Sequence, residues 1–331
     1  MKTIVKSRLA ELLQTMAQDF RVLVPVKSEA ISQFVPWQEG LTVNLEGNTV
    51  LPPKDIFFPQ TEKMYKFKVK GSSVDIEEFA EDVQKQVIFG IRSCDMQSID
   101  CLDKVFLTKG YEDQFYKTKR EKTLLVALSC TKPQDTCFCE SMGLNPQEAP
   151  GADVQGYDLG DALGFVAKTP EGEELLAKYG SLFTEVNAVP QKVEGFNLKA
   201  DVAGIPEKLA KMFDHPIWGE VSQKCLGCGA CAYLCPTCHC FDISGTVKGD
   251  QGYKFRCWDC CMFSEYTRMA GGHNPRPSKK ERVRNRFLHK LYYFKDRYGQ
   301  LLCTGCGRCI AKCPVGMDIT AIIEKIKEAE V

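Results

Sequence analysis

The sequence carries one cysteine pattern twice. Residues 225–236 read CLGCGACAYLCP and residues 303–314 read CTGCGRCIAKCP. Each is C-x2-C-x2-C-x3-C followed by proline. Three thiolates at this spacing clasp one face of a cubane [4Fe–4S] cluster, and the fourth, before proline, typically ligates the other cluster of a pair. The crossed reading assigns Cys225, Cys228, Cys231 and Cys313 to one cluster. It assigns Cys303, Cys306, Cys309 and Cys235 to the other. Gly227, Gly229, Gly305 and Gly307 let the backbone come close and aim N–H groups at sulfur. Zinc sites favour paired C-x2-C couples at longer separations, so iron–sulfur is the preferred chemistry.

The chain has 18 cysteines in 331 residues. Disulfide frameworks belong to small secreted chains. The opening residues, MKTIVKSRLAELLQTMAQDF, break their apolar positions with Lys6, Arg8 and Glu11, unlike a signal peptide. No stretch is long and apolar enough to span a membrane. The expectation is a cytoplasmic, metal-binding chain. Its formal net charge is zero, which gives no electrostatic footprint for nucleic acid.

A structureless spacer between the two motifs would be unusual at this length, so helices are expected there. Ser278 and Glu281 form a capping box. Val283, Phe287, Leu288, Leu291 and Phe294 keep helical spacing, and Gly299 can close the helix. Residues 276–297 hold nine lysines and arginines against Glu281 and Asp296. That face is either solvated, or a docking face, or a positive field near anionic clusters. Asp318 can cap a last helix with Ile319, Ile322, Ile323 and Ile326 on one side. The expectation for residues 216–331 is an all-α, helical two-[4Fe–4S] ferredoxin-like domain.

Residues 1–215 read as an α/β domain. An opening helix places Val5, Leu9, Leu12, Leu13 and Met16 on one stripe. RVLVPV, KQVIFGI and TLLVAL are short apolar runs bounded by charge, as buried strands are. Two of them lead into cysteines, Cys94 and Cys130. Ligands of open α/β sheets sit beyond the carboxyl ends of strands, so parallel neighbours would bring these thiols together. The following loop, TKPQDTCFCE, adds Cys137 and Cys139. These four are either a third [4Fe–4S] site or buried structural thiols, since free cysteine is commonly buried. Cys101 lies in an amphipathic stretch that core packing explains.

Cys238, Cys240, Cys257 and Cys261 remain, with Cys260. They either hold a fourth cluster or surround the first as packing and weak S–H donors that tune its potential. The adjacent pair Cys260–Cys261 is similar to a non-cubane site of heterodisulfide reductases, but Met262 stands where that site has glycine. No G-x-G-x-x-G, P-loop, H-E-x-x-H or G-x-S-x-G motif occurs. His215, His239, His273 and His289 have no paired ligand spacing.

GIRSCD, CTKPQDTCFCESMG, CPTCHCFDI, RCWDCC, MAGGHNPRP, RFLHK and CTGCGRCIAKCP occur in that order. In this the chain resembles a family of iron–sulfur electron-transfer subunits. Its members include one from anaerobic sulfite reductases and the β subunit of cytoplasmic NiFe sulfhydrogenases. The resemblance spans nearly the whole chain and favours a cluster at Cys94, Cys130, Cys137 and Cys139. It implies a heteromeric complex in which a flavin subunit exchanges electrons with NAD(P)H. It also implies a terminal enzyme of sulfite reductase, hydrogenase, heterodisulfide reductase or transhydrogenase type. The expected function is single-electron relay through at least two, and with the N-terminal site three, [4Fe–4S] clusters. One alternative is a catalytic role, with a substrate reduced at an exposed cluster near Cys238, Cys240 and Cys261. The other is a scaffold without redox duty. No acid–base constellation supports catalysis.

Overall fold

The computed structural model describes residues 1–331 apart from 30, 80–82 and 191. An eight-stranded mixed sheet organises the first half. At its centre Arg21–Lys27, Gln86–Ile91, Thr123–Leu128 and Val154–Asp158 run parallel, each beside the next. Gln86–Ile91 is buried at every position, as expected of a parallel strand covered on both faces. Antiparallel strands complete the sheet at both edges.

The period-two alternation of strands sorts the core into two layers. Val22, Val24, Val87, Phe89, Val126 and Leu128 face one way, onto Leu9, Leu12, Leu13, Leu175 and Leu176. Leu23, Ile88, Leu125 and Ala127 face the other, onto Met96, Ile99, Leu102, Phe106 and Tyr116. The opening stripe needs one correction. Lys2–Val5 is a strand and Val5 is exposed, because the chain pairs with Ala162–Ala167 before the helix Leu9–Met16 begins.

In the second half the capping box on Ser278 opens the helix Lys279–Leu288. The helical path continues through a π-type stretch, His289–Tyr293, and closes at Gly299 in the left-handed conformation. Asp318 caps Ile319–Glu328 as expected. These helices share a core with Ile205–Leu209 and Ile217–Ser222.

This part is not all-α. Phe241–Lys248 and Gln251–Trp258 form a hairpin between the cysteine motifs. The hairpin continues into Thr61–Lys70 and Ser73–Glu78 as a four-stranded antiparallel sheet. The reason is local. Ile243, Val247, Tyr253 and Phe255 suit strands, and Gly249, with φ +65°, makes the turn. Buried Arg256 anchors the hairpin to Glu62 and Asp113, each at 2.6 Å.

Candidate metal centres

Cys225, Cys228 and Cys231 lie on a loop and on the short helix Ala230–Tyr233, which starts after Gly229 in the left-handed region. Cys313 lines the same cavity, as does Cys309. The backbone N–H of Gly227 points at Cys225 Sγ (3.3 Å), and that of Met317 at Cys313 Sγ (3.2 Å). Such donors stabilise thiolate. Cys228 is exposed, and Leu226 beside it is 64 % exposed. This site therefore reaches the surface.

Cys303, Cys306 and Cys309 stand together in the interior with Cys235 among them. Burial pushes the Cys303 thiol up to about 12 and raises Cys306 and Cys309 as well. Apolar surroundings oppose a bare thiolate; a metal cation would reverse that preference. Cys313 thus lies beside the first triplet and Cys235 beside the second, though Cys309 also lines the first cavity and Cys235 also neighbours Cys231.

The four N-terminal cysteines converge. Cys94 sits in the first turn of Ser93–Leu107, and Cys130 follows the adjacent parallel strand Thr123–Leu128. Cys137 and Cys139 come from the loop beyond, and all four line one cavity. Burial raises Cys137 to about 11 and Cys139 to about 12. Cys306, of the second motif, borders this cavity and packs on Cys94 and Cys139. Asn48 spans the two groups, donating to the Cys306 carbonyl (3.0 Å) with Cys94 Sγ at 3.9 Å. Gly305 and Gly307 make this junction. A Cβ on Gly305 would lie 2.6 Å from Cys139 Cα, and one on Gly307 would overlap the Thr136 carbonyl.

The remaining cysteines do not share one cavity so plainly. Cys240 and Cys261 are hydrogen-bonded to each other, and Cys261 to Cys260. Cys238 is hydrogen-bonded instead to Cys235, and Arg286 lies 3.6 Å from its sulfur. Cys257 sits on the hairpin between Asp242 and Asp259. Cys101 is fully buried against Phe294 and Leu302, as core packing requires. His239 and His289, unpaired in sequence, meet edge to face at 5.4 Å. Burial lowers them to about 4 and about 3, so both rings are neutral near pH 7.

The thiols border cavities rather than closing on a point. Among the described residues no three His, Cys, Asp or Glu side chains are placed to hold a single metal ion. A cubane takes one thiolate on each of four irons and so needs wider spacing. The electrostatics fit it too. Burial opposes the charge of Arg286 and Lys290, but nearby cysteine thiolates outweigh it and raise both groups above their ordinary values.

A family model described as a 4Fe-4S dicluster domain matches residues 224–317. That span contains all eight motif cysteines. The chain is also 29 % identical over 319 residues to the sulfhydrogenase 2 subunit beta of Pyrococcus furiosus. The alignment covers 93 % of this chain and 92 % of that protein. The chain is thus similar to this sulfhydrogenase β subunit and carries a 4Fe-4S dicluster domain, in keeping with the resemblance read from its sequence. No solved structure matches it.

The chain holds multiple [4Fe–4S] clusters. The matched dicluster domain leaves out Cys94, Cys130, Cys137 and Cys139, which lie outside residues 224–317. Among the described residues no helix is long and apolar enough to cross a membrane. Sequence reasoning misses Asn48, Arg92 and Lys54, which stand beside the cysteines only in three dimensions. The basic stretch is legible in the sequence, but its orientation is not. Arg286 and Lys290 point inward, and Arg284 stacks on Phe213 at 3.7 Å and pairs with Asp214.

Proposed function

We propose that the chain is the electron-relay subunit of a cytoplasmic multisubunit oxidoreductase of hydrogenase type. On this reading it stands between a flavin subunit that handles NAD(P)H and a terminal enzyme. Bound clusters supply single-electron acceptance and donation at potentials set by hydrogen bonds, burial and charge. The chain's residues hold three sites in series. Cys225, Cys228, Cys231 and Cys313 form the surface end. Cys303, Cys306, Cys309 and Cys235 form the interior site. Cys94, Cys130, Cys137 and Cys139 form the far site beyond the carboxyl ends of two central strands.

One observation carries the series: Cys306, from the middle set, packs directly on Cys94 and Cys139 of the far set. A scaffold has no need to bring ligand sets into contact across two structural layers. Cys240 and Cys261 are hydrogen-bonded to each other, and Cys261 is buried, which supports a packing role over substrate chemistry. An anaerobic redox titration followed by electron paramagnetic resonance tests the proposal. The reduced protein should show magnetically interacting cluster signals. Isolated, non-interacting signals would break the series. Gene neighbours encoding flavin and hydrogenase subunits would support the assignment of partners.

A further inference from the structure

Seven lysine and arginine side chains are buried among the described residues: Lys54, Arg92, Lys119, Arg256, Arg286, Lys290 and Arg308. A buried cation is costly unless it is paired. Lys119 and Arg256 pair with Glu62, and Arg308 pairs with Asp95. The other four form no salt bridge with a carboxylate among the described residues. All four stand beside cysteines. Arg92 faces Cys94 and Cys130, with its guanidinium bonded to backbone carbonyls. The remaining three surround residues 235–240.

Their contacts are specific. Lys290 donates to Thr237 Oγ1 at 2.6 Å, and that hydroxyl lies 3.2 Å from Cys235 Sγ. Arg286 donates to the Cys231 carbonyl at 2.7 Å and reaches Cys238 Sγ at 3.6 Å. Lys54 donates to the Cys238 carbonyl at 3.1 Å and lies over the Trp258 ring, 3.9 Å from its centre. A neutral interior would leave these charges uncompensated. A cluster with four thiolates carries a net negative charge, and that charge rises by one on reduction.

We propose that Lys54, Arg286 and Lys290 form a buried cationic cradle that favours the reduced state of the middle cluster and so raises its potential. They act as positioning charges and not as ligands. The inference rests on the reading of Cys235 as a ligand. It deepens the relay reading, since a raised potential makes the middle site the place where an electron rests between the two ends. Because the charges are buried, added salt screens them little.

The test is anaerobic redox titration of the full-length Lys290→Met and Arg286→Met variants, with iron quantified in the same samples. The expected result is full iron content, with Lys290→Met lowering the midpoint potential of one cluster only; Arg286→Met, whose guanidinium also holds the Cys231 carbonyl, lowers that cluster and the one that Cys231 ligates. Lys290→Arg should restore the original value. Unchanged midpoints with iron retained would overturn the proposal. If Lys290→Met loses iron, Lys54→Met becomes the deciding variant, because Lys54 touches only a backbone carbonyl and a ring. An unchanged set of potentials there would equally overturn it. Cys235→Ser separates the two readings: iron unaffected in that variant removes the ligand assignment itself, whatever the potentials do.

Discussion

Arg308, inside the second cysteine motif, forms a buried salt bridge of 2.6 Å with Asp95, the neighbour of Cys94. Both side chains are almost wholly shielded from solvent. Arg308 also donates to the Thr49 carbonyl at 2.6 Å. One guanidinium thus ties the dicluster motif to the carboxyl end of the central strands, where the far cysteines lie. Removing one partner of a buried pair typically costs about 3–5 kcal/mol. Asp95→Asn should therefore lower the anaerobic melting temperature by several degrees. Replacing both partners with apolar residues should recover much of that loss. A single variant as stable as the parent would show that the bridge does not hold the halves together.

Gly307 and Gly227 share a left-handed φ, +73° and +74°, but not their surroundings. A Cβ at Gly227 meets nothing nearer than 4.0 Å, whereas at Gly307 it collides with the Thr136 backbone. Gly227→Ala should cost only the backbone strain, about 1–2 kcal/mol. Gly307→Ala should also displace the loop bearing Cys137 and Cys139 and reduce iron bound at the far site. Equal iron contents in the two variants would contradict this junction.

Cys306 and Cys101 are both buried, yet only Cys306 stands among other motif thiols. Cys306→Ser should lose about four irons, one cubane's complement. Cys101→Ser should keep all its iron and lose a little stability, since a hydroxyl replaces a thiol packed on Phe294 and Leu302. Iron assay with thermal denaturation checks both. Iron retained by Cys306→Ser, or zinc found in its place, would sink the assignment of the second motif.

Much of this is legible in the sequence because the signals are local. The two cysteine motifs, the Ser278 capping box and the strands ending at Cys94 and Cys130 all rest on spacing within a few residues. The hairpin 241–258 is local too, but the cysteines on either side of it mask its alternating β-branched and aromatic residues. What spacing does not show is which way a side chain points. Nine basic residues in one stretch look like an outer face. Folding turns Arg286 and Lys290 inward, toward Cys231, Cys235 and Cys238, some fifty positions earlier. A double reversal of Arg282 and Arg286 would therefore disturb the interior before any docking surface.

Anomalous diffraction at the iron edge tests the three-site relay most directly. Iron is expected at three places. One lies among Cys225, Cys228, Cys231 and Cys313, and one among Cys303, Cys306, Cys309 and Cys235. The third lies among Cys94, Cys130, Cys137 and Cys139, with the second set between the others. None is expected within Cys238, Cys240, Cys257 and Cys261, because Cys238 pairs with Cys235 and Cys257 stands apart on the hairpin, leaving only Cys240 and Cys261 together. A map with no iron at Cys94, Cys130, Cys137 and Cys139 would contradict the three-site relay.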